Sequence, residues 1–436
     1  MIAQKEFNRW YKLKDHPVQL ALVGAVSNGV RFPIVPAGRR SGKTERFKRF
    51  ITKEAMRSPG ENYFAAAPTR DQAKKIFWND LKMLSFANHL PKKPSETELK
   101  IHFPNDTTIT VLGLDEPARI EGTAWTGGGI DEFGNLKENA WKENILPALD
   151  TVNPTRPDYR AWCWIFGVPE GLNHYYDIYD YALTANDPNY GVFHWKSAEI
   201  LPNDVIEAAK RVLSPRQYRQ EYEASFETAE GRIYDDYSAA NQTSELIQSH
   251  EQLMWHHDFN FTPMSSGIAV RRDGGKIYIL DEIILESATS RQSALEFIER
   301  YKNHQNKHVI IYGDPAGRAG EKHGHESDYT EMENVLRSNG WRYTRKVKRA
   351  APAIKDRQNA VRAKICNANG ERSLFVNPSK AKYAHKGLAT VQMKKGSSFL
   401  EEVSDYQHIT TAIGYMIDYE WPVNGGVIYT GIGSAR

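Results

Sequence analysis

Short apolar runs alternate with polar or amphipathic stretches through the first half of the chain. Runs at residues 32–36, 63–67, 108–112 and 162–166 each end in turn residues and give way to segments of helical character. Continuous apolar runs of this length read as strands buried on both faces, and strands alternating with helices pack as a parallel sheet with helices on its faces. A helix is expected near 204–226. Residues 227–248 are polar, with Gly231 and a Ser/Ala/Asn-rich piece, and read as a linker. Then the pattern changes. Runs at 254–260, 266–271 and 276–284 read as three strands of a meander, with Asp273-Gly274-Gly275 as a hairpin turn. A helix at 291–303 and a strand at 308–312 follow.

A meander, then a helix, then another strand is the order of a ribonuclease H-like core. The 436 residues exceed a usual single core and suit two domains. The expected division is an α/β domain over 1–228, a linker over 229–250, a ribonuclease H-like domain over 251–424 and a tail over 425–436. No stretch approaches the roughly 18 apolar residues that a membrane span needs. The N-terminus, MIAQKEFNRWYKLKDH, lacks the apolar core and small-residue cleavage site of a signal peptide. Cys163 and Cys366 are far apart and form no metal-spaced pair, which argues against a zinc site or a disulfide scaffold and fits a reducing compartment. The net charge of +3 is too small to imply a nucleic-acid partner; its distribution says more.

Ala37-Gly38-Arg39-Arg40-Ser41-Gly42-Lys43-Thr44 follows an expected strand and opens an expected helix. It matches the phosphate-loop pattern except at its first position, where alanine replaces glycine. In such a loop the backbone N–H groups of Gly38, Arg40, Ser41 and Gly42 wrap nucleotide phosphates. Lys43 reaches the β- and γ-phosphates, and the Thr44 hydroxyl holds Mg²⁺. The bland alternative is a basic turn before a helix. ATP hydrolysis also needs an acid for the metal and a group to orient water. Asp131 and Glu132, in Ile130-Asp131-Glu132-Phe133, offer both, although the preceding Gly127-Gly128-Gly129 is poor in apolar residues for a buried strand.

The second half offers a different chemistry. Two-metal nuclease sites need carboxylates from different strands that bridge ions about 3.5–4 Å apart. Asp258 ends the first meander strand, and Asp314 ends the strand before Pro315-Ala316-Gly317. In a ribonuclease H-like sheet those two strand ends are neighbours. The bland alternative is a pair of turn-forming aspartates. Asp281 and Glu282 are weaker candidates of the same kind.

Through these residues and those that follow, the chain resembles the large subunits of phage DNA-packaging terminases, in the same order along most of its length. His16-Pro17-Val18-Gln19 resembles the adenine-contacting glutamine motif, which implies that role for Gln19. Residues 37–44 resemble the arginine-bearing phosphate loop, and 65–73 the segment after the second motor strand. Ala118-Arg119-Ile120-Glu121-Gly122 resembles the Arg-x-x-Gly stretch. Gly167-Val168-Pro169-Glu170-Gly171 resembles the motif coupling hydrolysis to movement. Arg39 in cis, or Arg119 towards a neighbouring subunit, would stabilise charge on the γ-phosphate. The nuclease motif departs from the family. Its usual His-x-x-Asp-Ala-x-x-Tyr reads His408-Ile409-Thr410-Thr411-Ala412-Ile413-Gly414-Tyr415, with Thr411 where a metal-binding aspartate is expected. A neutral hydroxyl cannot replace a carboxylate in neutralising a divalent ion. Asp405 or His408, about one helical turn away, or Asp328, are the remaining third-ligand candidates.

The basic run at 341–349 includes Arg345, Lys346, Lys348 and Arg349 with aromatics between them. Lys355, Arg357, Arg362 and Lys364, then Lys380, Lys382, Lys386, Lys394 and Lys395, extend it. Such clusters bind DNA phosphates without reading sequence, or merely solubilise the surface; Asp356-Arg357 reads as a local ion pair. The resemblance implies ATP and Mg²⁺ for the motor, and Mg²⁺ or Mn²⁺ for the nuclease. It implies double-stranded DNA, a small terminase subunit and the procapsid portal as partners. It further implies a pentameric ring docked transiently on the procapsid in the host cytoplasm and absent from the mature virion. Rival readings are a helicase or other translocase, a ribonuclease H-like transposase, a terminase with a crippled nuclease site, and a DNA-binding assembly protein with decayed sites. A helicase would need a second motor domain, and a transposase would not need the phosphate loop.

Overall fold

The computed structural model describes residues 8–151, 159–171, 173–227, 231–259, 263–319, 327–394, 397 and 399–423. Asn260, Lys395 and the expected tail at 425–436 lie outside these. The chain divides into two compact units. One comprises Met1–Ile206 with Arg219–Thr228, the other Glu207–Tyr218 with Ala229–Arg436.

The first unit is built on a seven-stranded sheet in the order β3-β4-β2-β5-β6-β1-β7. Its strands are β1 (Phe32–Pro36), β2 (Asn62–Ala67), β3 (Lys100–His102), β4 (Thr108–Gly113), β5 (Gly127–Ile130), β6 (Trp162–Gly167) and β7 (Tyr190–Val192). Only β3 runs antiparallel to its neighbour. Every residue of β1 and β6 is buried, as expected of strands covered on both faces. Strand β6 lies between β1, which leads into the loop at 37–44, and β5, which leads into Asp131 and Glu132. That added strand is the mark of the RecA/ASCE-like phosphate-loop fold.

The glycine-rich β5 has a steric reason. A Cβ on Gly127 would stand 2.1 Å from the Trp162 ring, one on Gly128 2.3 Å from Phe64, and one on Gly129 2.5 Å from Phe47. The aromatic rings of β2, β6 and the helix α2 (Lys43–Arg57) fill the volume that β5 leaves open, so the apolar payload of this strand is carried by its neighbours. Helix α1 (Pro17–Ser27) precedes β1.

The expected helix at 204–226 is broken. It forms Asn203–Val212 and Pro215–Tyr222, separated at Ser214-Pro215 because proline fits only the first turn of a new helix. The polar stretch read as a linker is also packed. Ile233, Tyr234 and Tyr237 are buried in the core of the second unit, and Asn241 Nδ2 donates to the carbonyls of Ile365 and Leu374 at 3.0 and 2.9 Å. Three well-placed apolar residues anchor a segment whose composition is otherwise that of a loop.

The second unit carries a six-stranded sheet in the order β12-β11-β8-β9-β10-β13. Its strands are β8 (Leu253–Asp258), β9 (Met264–Arg272), β10 (Lys276–Leu285), β11 (His308–Gly313), β12 (Arg342–Arg345) and β13 (Leu374–Val376). Strands β8, β9 and β10 form the antiparallel meander, while β11 adds to β8 in parallel and β12 to β11. This is the ribonuclease H-like order, with β13 added alongside β10. Helices α3 (Ser290–Arg300) and α4 (Asp328–Ser338) cover one core. Helices α5 (Ile354–Ile365), α6 (Lys382–Thr390) and α7 (Gln407–Glu420) cover the other.

Candidate active sites

In the first unit, residues 37–44 bend from β1 into α2. Gly42 caps α2 at φ 86, a left-handed conformation that favours glycine. Gly38 is equally constrained, since a Cβ there would meet Ser197 Oγ at 2.3 Å and the Tyr222 carbonyl at 2.6 Å. Ser41 is held from two sides. Its hydroxyl donates to the Gly38 carbonyl at 2.5 Å, and the Trp195 indole N–H donates to Ser41 Oγ at 2.9 Å. Trp195 gives no sign of this role in the sequence, because nothing in its surroundings marks it.

Thr44 and Asp131 meet where the strand order requires. The Thr44 hydroxyl donates to Asp131 Oδ2 at 2.7 Å, and the Glu132 N–H donates to Asp131 Oδ1 at 2.9 Å. Asp131 is 3 % exposed and Lys43 8 %. Burial pushes the Asp131 carboxyl up from its ordinary value, and Lys43 and Thr44 oppose that. Burial, then the charge of Asp131, likewise raises Glu132; Lys43 and Arg39 pull it back. Glu132 sits at φ 54, a left-handed conformation that costs a non-glycine residue about 1–3 kcal/mol and often marks a functional position. Gly167 backs this turn, 3.3 Å from the Phe133 nitrogen by its ideal Cβ, and its carbonyl accepts from the Ala37 N–H at 3.4 Å. The Gly167–Gly171 segment therefore touches both the loop and the acidic pair.

The other candidates of this unit are engaged locally. Arg39 pairs with Glu221 at 2.9 Å. Arg119 pairs with Asp115 at 2.9 Å, with nearly half its side chain exposed. Gln19 is buried, its amide nitrogen donating to the Ser41 carbonyl at 2.9 Å and its oxygen accepting from Arg46 Nε at 3.1 Å. It ties α1 to the loop, with both ends of the amide occupied. The exposed Arg40 adopts φ 57.

In the second unit, Asp258 and Asp314 end adjacent parallel strands; His257 pairs in register with Gly313. His408 Nδ1 lies 2.9 Å from Asp258 Oδ2, and that bond raises the imidazole above its ordinary value. Tyr415 faces the same carboxylates, and burial followed by the charges of Asp314 and Asp258 pushes its hydroxyl up against the pull of Arg357. Thr411, where a carboxylate is expected, accepts from Arg357 Nη2 at 3.4 Å. The Glu401 carboxyl is a neighbour the sequence reading missed. Burial raises it, Asp258 raises it further, and Gln358 and Arg357 oppose. Gln358 Nε2 donates to Glu401 Oε1 at 2.9 Å, and Glu401 Oε2 is buried with no hydrogen-bond partner. Only a pattern around the strand-like bridge at Met393 and Glu401 could have found it.

Several candidates fall elsewhere. Asp405 is exposed, and its charge reaches His408 only as a minor influence. Asp281 accepts from Tyr301 at 2.8 Å and pairs with Arg300, and Glu282 accepts from the backbone N–H groups of Tyr383 and Ala384 that start α6. Asp328 accepts from Ser290 at the start of α4. In the basic run, Lys346 pairs with Glu420 at 2.7 Å, Lys348 with Asp418, and Arg345 with Glu333 at 3.3 Å. Arg349 is exposed. Arg362 is buried, donating to the Ile233 carbonyl at 2.5 Å, and burial lowers its guanidinium to about 10. Arg357 is not in the local pair with Asp356 that their adjacency suggests.

The donor sets differ in what they fit. Thr44, Asp131 and Lys43 have the chemistry of a phosphate-bound Mg²⁺ site. Asp258 and Asp314 fit one divalent cation. A second is not served at position 411, and among the described residues no group of three or more His, Cys, Asp or Glu side chains is arranged to hold a metal.

A RecA/ASCE-like phosphate-loop unit followed by a ribonuclease H-like unit is the architecture of large terminases. Residues 34–238 match the profile of the terminase large subunit, T4-like virus type, N-terminal family. The terminase large subunit of Escherichia phage T5 is 30% identical over 238 residues, covering 52% of this chain and 51% of its own length. That of Thermus virus P23-45 is 23% identical over 255 residues, covering 51% and 50%. The chain thus spans about half the length of the curated relatives it matches. Among solved structures, the large terminase of the thermophilic bacteriophage D6E superposes with a TM-score of 0.58 at 16% identity, covering 95% of this chain and 98% of that one. Its ADP complex gives 0.59 at 18% identity, covering 93% and 99%. The N-terminal part of the chain thus matches the terminase large-subunit family, and the whole chain shares the fold of large terminases. Among the described residues no helix is long and apolar enough to cross a membrane.

Proposed function

We propose that the chain drives ATP-dependent movement of double-stranded DNA into a procapsid and cuts that DNA with a metal-dependent nuclease. The observation that carries this reading is the meeting of Thr44 with Asp131 in one unit and the adjacent placement of Asp258 and Asp314 in the other. The nucleotide-bound D6E relatives support ATP as the motor's ligand.

In the motor, the N-terminal turn of α2 and Lys43 receive the phosphates, and Thr44 and Asp131 would hold Mg²⁺, which when bound would screen charge on the phosphates. Glu132 orients the attacking water; its raised carboxyl suits it to take a proton. Water oxygen bonds to the γ-phosphorus, the bond to the β,γ-bridging oxygen breaks, and ADP leaves with the electron pair. Arg39 would have to leave Glu221 to reach the γ-phosphate in cis, and Arg119 would have to leave Asp115 to serve a neighbouring subunit. Adenine contact by Gln19 would likewise require its amide to exchange a partner.

In the nuclease, Asp258 and Asp314 would hold Mg²⁺ or Mn²⁺, which when bound would supply Lewis-acid polarisation of the scissile phosphate. His408 orients the Asp258 carboxylate through its Nδ1. Arg349, with Arg345, Lys346 and Lys348 as far as their internal ion pairs permit, contacts the DNA backbone. Asp405 is assigned no direct role. The partners are the small terminase subunit, the portal and further copies of this chain in a pentameric ring, at the procapsid in the host cytoplasm. The test is packaging: with ATP and procapsids of its own phage, the wild-type chain protects DNA from added nuclease. Equal protection without ATP, or with Lys43→Ala, would refute the motor reading.

A further inference from the structure

Arg357 is 7 % exposed, and among the described residues it forms no ion pair with any carboxylate. Burying a guanidinium with no carboxylate in ion-pair contact is costly, and Glu401, which feels its charge, does not come within that distance. Its surroundings are built for it. Gly414 on α7 leaves the space its stem crosses: an ideal Cβ there would stand 2.3 Å from Arg357 Cγ and 2.6 Å from Cδ. Beyond that gap the guanidinium lies over the Tyr415 ring, 4.9 Å from its centroid, and donates to Thr411. Thr411 and Tyr415 are one helical turn apart on α7, on the side that faces Asp258 and Asp314. The charge of Arg357 is felt at Glu401 and Tyr415, both of which also feel Asp258. A fixed cation therefore reaches the position where a third carboxylate would serve a second ion.

We propose that the Arg357 guanidinium replaces the second divalent cation of this nuclease site, which binds a single cation at Asp258 and Asp314 and receives the scissile phosphate on Arg357. This rests on the nuclease reading above. Guanidinium suits the task because its planar donors match two phosphate oxygens and its charge is permanent. Thr411 follows from it: a carboxylate at 411 would pair with Arg357 and remove both the free donors and the charge.

The experiment counts Mn²⁺ bound by the full chain without nucleotide, by electron paramagnetic resonance. Binding by Asp258→Ala is subtracted, and plasmid cutting and thermal melting are recorded on the same preparations. Wild type is expected to bind one Asp258-dependent ion. Thr411→Asp also binds one, because its new carboxylate is taken by Arg357, and the double variant Arg357→Gln/Thr411→Asp binds two. Arg357→Gln binds one, melts as wild type does and cuts about 100-fold more slowly, while Arg357→Lys recovers part of the rate. Two ions in wild type, two in Thr411→Asp alone, or full cutting by Arg357→Gln would each overturn the inference. Cutting that needs Asp258 but uses two ions would leave the nuclease reading standing. No Asp258-dependent ion and no cutting by wild type would remove both.

Discussion

Gly414 and Arg357 are fitted to one another across two helices, with the arginine stem filling the space a side chain at 414 would occupy. Replacing Gly414 with alanine forces the stem aside in a close-packed core. Gly414→Ala is expected to lose about 1–3 kcal/mol by urea denaturation. Gly414→Ala in an Arg357→Ala background should recover most of the loss that the glycine substitution causes alone. Strict additivity of the two would contradict the fit.

The three glycines of β5 make a second steric prediction. Gly128→Ala drives a methyl group into the Phe64 ring, at 2.3 Å before relaxation, and should cost at least about 1–3 kcal/mol. Phe64→Leu in the same chain should recover part of it, read as the shift in denaturation midpoint.

Glu45 on α2 holds Arg9 of the N-terminal segment and also pairs with Arg49 one turn along the same helix. Burial alone would raise its carboxyl, but the bonds from the two arginines outweigh it and hold Glu45 below the ordinary carboxylate value. A depressed carboxyl contributes stability that is present above its unfolded pKa, about 4.3, and is lost as pH falls through the lower folded value. The stability gap between wild type and Glu45→Gln should therefore be widest near neutral pH and close in acid below about pH 4. A gap that stays constant down to pH 3 would show that the pairing is not electrostatic.

The basic run at 341–349 divides into internal and external charges. Lys348 partners Asp418, which is 3 % exposed, so Lys348→Ala leaves a buried carboxylate unpaired and should cost about 1–3 kcal/mol. Arg349→Ala should leave the melting curve unchanged and reduce the salt dependence of DNA binding by about one phosphate contact. Equal losses of stability from the two would erase the distinction.

Much of this was legible in residue order. The strand–loop–helix around Lys43, the acids after Ile130, and the strand-end positions of Asp258 and Asp314 follow from local pattern, because each depends on neighbours in sequence. The rest depends on packing between distant segments. Gly127-Gly128-Gly129 reads as a poor strand until the rings of Phe64, Phe47 and Trp162 are seen to fill its volume. Residues 233–237 read as linker because composition averages over the few side chains that are buried. Arg357, on α5, and Glu401, in the segment before α7 and bonded to Gln358, reach the second site only through the tertiary fold, and neither carries a motif. Thr411 was the one local sign that this site differs, and it pointed to the place without naming the residue that fills it.

Two separable chemistries are proposed for the two units of this chain. The most direct measurement runs ATP hydrolysis and Mn²⁺-dependent plasmid cutting side by side on wild type, Lys43→Ala and Asp258→Ala. Lys43→Ala should lose hydrolysis by ~100-fold or more and keep its cutting, and Asp258→Ala should do the reverse. Hydrolysis that survives Lys43→Ala, or cutting that survives Asp258→Ala, would contradict the account.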